Sequence, residues 1–493
     1  MNAAREIILS LTIESKKDFM RYLRQRNKRN DTKNVELFQL LNSNTSLKEI
    51  PNLLYGSPSP GAYHALSKRL HDSLIDFVAA KNFEKESSKE MMAMKLLMAG
   101  SSFLENRKIE IAYKTLNKAE LIAKKYDLLS ILNEVYNYKI MYAHLNPKID
   151  LKQLIADYNS NKKRLLEDEK LNLFYASVQA ELHNSTTNVS DIINKNLKSY
   201  QISISQDLSY TALLKIIEIS NEVAHASRDY FAVLSFIENA CKTIQISERI
   251  EDKHLNAHLH ILYYLANTYF RIKKFEVAKI HLKDMHYYMQ LDHNRYYNTF
   301  YPQYQLLSNL LLIYTGRNPE AILALQEFNY NKFKQQPEYP LHLKLSLVVA
   351  LFLNQDFKAA FKLYQEFHHS DTWYSKKTDN IWVVKKNLIE ILLLIELDYG
   401  DLVEARLQSF KRKHKANILA KNEEKVLEFL KLAIQYYYDN NVVNTHQFQS
   451  KTKQLLKAQK QEEDVFSISF YAWLLAKIDH SDPYTLCLNL ISQ

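Results

Sequence analysis

From residue 62 onward the chain repeats one pattern: an amphipathic helical stretch, a short polar turn, and a second amphipathic stretch. In residues 262–285, LYYLANTYFRIKKFEVAKIHLKDM, Leu262, Leu265, Ala266 and Tyr269 fall along one helix face. After the turn, Phe275, Ala278, Leu282 and Met285 fall along another. The spacing predicts antiparallel helix pairs. Alternating apolar-polar runs of strand length are nearly absent. QISIS at 201–205 and VFSIS at 465–469 come nearest, and helical periodicity beside both makes them helix ends or loops.

The same frame fits Ala99, Gly100 and Phe103 followed by Ile109, Ala112, Leu116 and Ala119. It fits Leu347, Val348 and Leu351 followed by Phe357, Ala360, Tyr364 and Phe367, and Leu392, Leu393, Gly400, Leu402 and Ala405. Weaker copies contain Leu312, Gly316, Ala321, Leu325 and Phe328, and then Tyr230, Val233, Ile237 and Ala240. Ala112, Ala278, Ala321, Ala360 and Ala405 stand where the two helices of a pair approach most closely, so only a small side chain fits. Residues 51–61, PNLLYGSPSPG, gather three of the nine prolines and two of the five glycines. That breaker cluster divides the chain into a basic helical segment at 1–50, a linker at 51–61 and a helical array at 62–493.

Five glycines in 493 residues sharpen the all-helical reading, because average usage of roughly 7% would supply about 35. Sheets, phosphate-cradling loops and nucleophile elbows need glycine for positive φ and close backbone approach. The sequence accordingly holds no GxxxxGK[ST], GxGxxG, GxSxG, HExxH, CxxC or EF-hand loop. Gly316 and Gly400 are expected in intra-pair turns as left-handed helix caps. Gly100 is expected where two helices touch. The 33 Tyr and 22 Phe suit wedges between helical layers.

Together these residues give a frame that resembles the tetratricopeptide repeat. The resemblance implies an all-α fold, an α-α superhelix built as a tetratricopeptide-like solenoid of antiparallel helix pairs, with a small helical N-terminal segment. The period departs from the family's 34 residues, since the aligned alanines from Ala278 to Ala405 are 43, 39 and 45 residues apart. The resemblance also implies a concave face that holds a peptide or partner protein. Carried onto the best copy, it places His260, Tyr263, Asn267 and Arg271 on that face. Neighbouring copies offer the apolar set His342, Leu345, Val349 and Phe352, and the acidic set Asn387, Glu390 and Asp398. The Lys and Asn positions that clamp a carboxyl terminus in chaperone-binding members are not reproduced.

Net charge is +10, spread over many helices as on a solvated surface. Its one dense segment is residues 16–33, KKDFMRYLRQRNKRNDTK, where eight basic residues face two Asp and interleave with Phe19 and Tyr22. Lys16, Lys17, Arg21, Arg24, Arg26, Lys28 and Arg29 are candidate anion contacts, and such a segment can engage phosphates and stack on bases. His254, His258 and His260 form HxxxHxH, in which the first two share a helix face at a spacing that can bind zinc. No acidic or cysteine ligand follows at a regular distance, so a groove-lining role is expected. KRKHK at 411–415 and the charged run Glu167, Asp168 and Glu169 read as exposed surface. Cys241 and Cys487 cannot build a disulfide framework and suit a reducing compartment. No apolar stretch reaches membrane-spanning length, and the expected setting is the cytoplasm.

The sequence therefore predicts a non-catalytic protein-protein interaction scaffold with no cofactor and no metal, holding a peptide or partner protein. The alternative is a nucleic-acid-associated or ligand-sensing regulatory protein that uses the basic segment 16–33.

Overall fold

The computed structural model describes the chain apart from residues 1–2, 12, 27–31, 44, 57–59, 86–88, 185–188, 203–209, 228–229, 231–233, 235–236, 239–240, 243–253, 335, 421–423, 458–464 and 493. The fold is all-α, and the described residues contain no strand. Val465–Asp479 begins at VFSIS and is helical, whereas QISIS lies largely outside the described residues. Two compact units divide within one long helix, the first covering Met1–Leu165 and the second Leu166–Gln493.

The first unit runs through α1 (Ala3–Ser10), α2 (Ile13–Arg26), α3 (Thr32–Asn42), α4 (Ile50–Tyr55), α5 (Pro60–Lys85), α6 (Lys89–Glu105), α7 (Ile109–Lys125) and α8 (Leu129–Met141), and enters α9 (Leu151–Asn184). One core joins Ile8, Phe19, Leu23, Phe38 and Leu54 to Leu66, Leu70 and Phe77 of α5. The stretch expected as a linker thus holds most of α4, closed by Gly56 at φ +66, and the start of α5. Two of its prolines explain this, because proline fits the first turn of a helix, and Pro51 and Pro60 occupy such positions. Gly61 lies within α5, where an added Cβ would meet nothing within 4 Å.

A second core forms around α6, α7 and α8. Gly100 sits directly against Leu116 of α7, where an added Cβ would lie 2.6 Å from the leucine Cδ2. Lys139 of α8 is buried beneath α7, paired with Glu120 and donating to Asn117 Oδ1 at 2.5 Å. Tyr113 donates its hydroxyl hydrogen to the Lys139 carbonyl at 2.9 Å.

The second unit continues with α10 (Val189–Ser199), α11 (Tyr210–Ser227), α12 (Leu255–Arg271), α13 (Phe275–Met289), α14 (Tyr297–Tyr314), α15 (Asn318–Glu327), α16 (Glu338–Leu353) and α17 (Phe357–Tyr364). It ends with α18 (Asp371–Lys377), α19 (Asn380–Glu396), α20 (Gly400–Ala420), α21 (Glu424–Tyr438), α22 (His446–Lys457), α23 (Val465–Asp479) and α24 (Pro483–Ser492). Helices α12 and α13, α14 and α15, α16 and α17, and α19 and α20 pack as pairs, and consecutive pairs pack on one another.

Each pair turns on a single left-handed residue. These are Lys273 at φ +63, Gly316 at +88, Gln355 at +60 and Asp398 at +55, with Arg107 at +56 doing the same between α6 and α7. The residue after each donates its N–H five residues back, as in Lys274 to Tyr269, Arg317 to Leu312, Asp356 to Leu351 and Tyr399 to Leu394. This is the bond pattern that closes a helix whose C′ residue is left-handed. Five residues beyond each left-handed position comes the buried contact residue: Ala112, Ala278, Ala321, Ala360 and, in the last pair, Val403.

Two expectations are corrected by that register. Gly400 is the first residue of α20, and Asp398 takes the left-handed turn. A frame anchored on Gly400 runs two residues late, so Ala405 is exposed while Val403, Leu407 and Phe410 are buried. Asp tolerates the left-handed region better than most side chains, which is why the turn can form without glycine.

The last two helices depart from nearest-neighbour stacking. Tyr484 of α24 donates to the carbonyl of Ile313 at 2.7 Å and accepts from Asn318 N at 3.1 Å, across 171 and 166 residues of sequence. Tyr314 and Ser469 hydroxyls meet at 3.1 Å. Gln355 donates to Asp482 at 3.1 Å, and Trp473 Nε1 donates to Glu396 at 2.6 Å. A repeat array in which each unit touches only its neighbours has no equivalent of this returning hairpin.

Candidate functional site

A cavity of about 620 Å³ opens in the second unit, walled by α17, the 365–371 connection, α19 and α20. The sequence shapes it locally. Helix α17 stops at Tyr364, and Ser370 caps α18 by accepting from Trp373 N. The residues between form an open connection that brings Asp371 over α19. Helix α20 contributes Arg406, Phe410, Lys413 and His414, which recur at helical spacing on one face. Phe361, Tyr364, Phe367 and Phe410 supply rings.

Charged and hydroxyl groups form one continuous chain across this wall. Lys413 reaches Asp371 at 2.9 Å, and Lys386 reaches the same carboxylate at 3.3 Å. Lys386 Nζ donates to the Tyr364 hydroxyl at 3.2 Å. The Tyr364 hydroxyl in turn neighbours Glu390, whose charge acts on it, and Arg406 Nε meets Glu390 at 2.9 Å. Lys386 and Glu390 are only 5% and 8% exposed, whereas Lys413 and Arg406 side chains stay about half exposed, at 49% and 54%. His414 Nε2 lies 3.1 Å from the Asn387 amide nitrogen.

Burial sets the proton affinities. It pushes the Lys386 ammonium below the ordinary lysine value, although Asp371 and Glu390 pull the other way. For Asp371, burial favours the neutral acid, but the Lys413 hydrogen bond and the Lys386 charge outweigh it and hold the carboxyl low. Burial, reinforced by the Glu390 charge, lifts the Tyr364 hydroxyl well above the usual phenol range. Burial also lowers His414, against the pull of Asp371. Basic and acidic side chains thus alternate along the wall, with the Tyr364 phenol between them.

The four residues expected on a concave face lie elsewhere in the same unit, on α12. His260 is edge-on to Phe300 at 4.7 Å and faces Tyr264 at 6.3 Å. Tyr263 is edge-on to Tyr339 of α16 at 6.1 Å. Burial raises its hydroxyl, and so does a hydrogen bond with Tyr339. Asn267 and Arg271 follow on the same helix, both part-buried. The apolar set of the next copy is core rather than groove, with Leu345, Val349 and Phe352 all buried. Asn387 and Glu390 of the third set line the cavity, while Asp398 occupies the left-handed turn.

The basic segment forms α2 in the first unit. Lys17, Arg21 and Arg24 are exposed and Lys16 is part-buried. Arg26 ends the helix, while Lys28 and Arg29 lie outside the described residues. Phe19 is corrected as a base-stacking candidate. It is fully buried against Phe38 and Phe77, because an amphipathic helix turns its ring inward when a neighbouring helix offers an apolar face. Asp18 is engaged by Lys81 at 2.7 Å.

Of the HxxxHxH histidines, His260 packs on Phe300 and His258 turns into the core. His258 is buried edge-on to Tyr288 at 4.5 Å, and its imidazole is lowered to about 4 by burial, then by His254 and His281. Among the described residues no group of three or more His, Cys, Asp or Glu side chains is placed to hold a metal ion. Burial pushes both thiols up to about 12, with Glu238 adding to the effect at Cys241. No described helix is long and apolar enough to cross a membrane.

Sequence reasoning missed the cavity as a whole. KRKHK at 411–415 read as surface, yet Lys413 and His414 line the cavity. The available signal was Lys386 and Glu390 inside the apolar run of α19, where an unsolvated charge needs a partner. Comparison with protein-family models, with curated proteins and with solved structures finds no match to this chain.

Proposed function

We propose that this protein is a non-catalytic interaction scaffold, in which the cavity bounded by α17, α19 and α20 receives part of a peptide or partner protein. The reading rests on the tetratricopeptide-like frame and, above all, on one observation. A cavity of about 620 Å³ combines aromatic walls with fixed, paired charges and two half-exposed cations. That volume falls in the range of ligand pockets, and a few convergent polar groups on an apolar wall are what give such pockets specificity. The charges are engaged with one another, an arrangement suited to orienting a ligand. The row His260, Tyr263, Asn267 and Arg271 on α12 is a second contact surface in this proposal.

The test is affinity capture from native lysate, with and without nuclease, using the full chain and an Asn387→Ala/Ser409→Ala variant. A protein captured by the parent, resistant to nuclease and lost from the variant supports the reading. Capture unchanged by the variant overturns the role of the cavity. Nuclease-sensitive capture alone favours the second reading, in which the exposed Lys17, Arg21 and Arg24 of α2 hold nucleic acid. That reading requires binding that weakens steeply with salt and disappears when the three are changed to Gln.

A further inference from the structure

We infer that the group entering this cavity is an oxyanion, carried as a carboxylate or phosphate on an acidic peptide segment. This deepens the proposed function and rests on it. Charge balance favours an anion. Three basic side chains, Lys386, Arg406 and Lys413, line the cavity against two acidic ones, Asp371 and Glu390. Basic groups thus outnumber acidic ones by one, and the two half-exposed cations, Lys413 and Arg406, stay open to an incoming anion.

Donor geometry favours an anion as well. Arg406 spends Nε on Glu390, and its two terminal nitrogens make no hydrogen bond among the described residues. A guanidinium presents five N–H donors in a fixed fork suited to two-point recognition of carboxylate or phosphate. Lys413 gives one contact to Asp371 and keeps the rest of its ammonium toward solvent. The two cations are seven residues apart on one face of α20, about 10 Å along the axis. Lys386 lies deeper, and burial weakens its charge more than Asp371 and Glu390 strengthen it. An added anion supplies the compensation that burial removed. Both carboxylates already hold cations, which weakens their pull on a basic ligand.

The experiment measures fluorescence anisotropy of fluorescein-labelled peptides with the full chain. The probes are hexaglutamate, a glycine-flanked phosphoserine peptide, hexaglutamine and hexalysine. The variants are Lys413→Gln, Lys413→Glu and, as a control for diffuse positive charge, Lys17→Gln/Arg21→Gln/Arg24→Gln. Lys413 is half exposed, and Lys386 continues to partner Asp371 when it is changed, so the melting temperature should hold.

The expected result is binding of an acidic probe that loosens about tenfold in Lys413→Gln, the weight of one charged hydrogen bond, and further in Lys413→Glu. The control variant should leave it unchanged. Preference between hexaglutamate and the phosphoserine peptide assigns the source of the oxyanion. Binding of hexaglutamine or hexalysine in place of the acidic probes, lost in the Lys413 variants, overturns the inference and leaves the peptide-binding reading standing. Acidic binding that ignores Lys413, or that vanishes in the control variant, overturns the inference. No binding by any probe counts against both.

Discussion

Adding one methyl group at Gly100 should destabilise α6 and α7, although the same change in an isolated helix would stabilise it. Alanine outranks glycine inside a helix by about 1 kcal/mol, so local propensity predicts a gain. The tertiary contact opposes this. The new Cβ would lie 2.6 Å from Leu116 Cδ2 and 2.7 Å from its Cγ. Ordinary contact begins near 3.4 Å, so the leucine would have to withdraw by about 0.8 Å. Leu116 is fully buried among Ala112, Tyr113 and Val135 and has little room to do so. Overpacking of this kind costs about 1–3 kcal/mol, leaving a net loss of roughly 1 kcal/mol after the propensity gain.

Leu116→Ala alone should cost about 2–5 kcal/mol. The double variant should cost less than the sum, because the alanine methyl then enters the space the leucine vacates. Two compact units make a single unfolding midpoint a poor measure. Hydrogen exchange of amides in α6 and α7 reads the local opening energy directly. Increased protection in Gly100→Ala, or strict additivity with Leu116→Ala, would refute the packing argument.

Other consequences follow from the same structure. Arg107 is exposed and holds φ +56 in the α6–α7 turn, so Arg107→Gly should raise local stability by about 0.5–1 kcal/mol, the relief of a left-handed side chain less the entropy of glycine in the unfolded chain; exchange of the α7 amides reports it. Glu120→Gln leaves the buried Lys139 ammonium without its carboxylate and should cost about 3 kcal/mol of local stability, read from hydrogen exchange of the α7 and α8 amides, whereas a loss below half that would show the pair to be solvated. His258 is held neutral down to about pH 4 against an ordinary value of 6.5. The unfolded chain takes up this proton first, so its stabilising effect is complete above pH 6.5 and is lost as pH falls toward 4, amounting to about 3 kcal/mol. A His258→Phe variant should show a correspondingly flatter pH profile of local stability, read from hydrogen exchange of the α12 amides across that window; parallel profiles would exclude the role.

The candidate site was only partly legible in the sequence, and the reason is geometric. Asn387 and Glu390 could be placed on a shared helix face from periodicity alone, and both line the cavity. Lys413 and His414 could not be separated from the rest of KRKHK, since a run of cations carries no sign of which members find a carboxylate. Asp371 arrives through a connection whose path depends on where α17 stops and Ser370 caps the next helix. Phe19 shows the converse case, since the interleaved rings of a basic segment look alike until a neighbouring helix buries one of them.

Glycine scarcity and the three-to-four-residue apolar rhythm determined an all-helical chain, and they marked Ala112, Ala278, Ala321 and Ala360 as contact residues, because both are local properties of successive side chains. The positions of the turns were only half determined. A left-handed cap is set by hydrogen bonds across six residues, and Lys, Gln or Asp will accept its strain where the packing demands it. Tertiary structure alone decided the return of α23 and α24 onto Ile313, Asn318 and Glu396, and the alignment of Lys413, Asp371, Lys386, Tyr364, Glu390 and Arg406 into one charged wall. Both depend on which faces meet when separate helices pack, and no periodicity within a single helix records its neighbour.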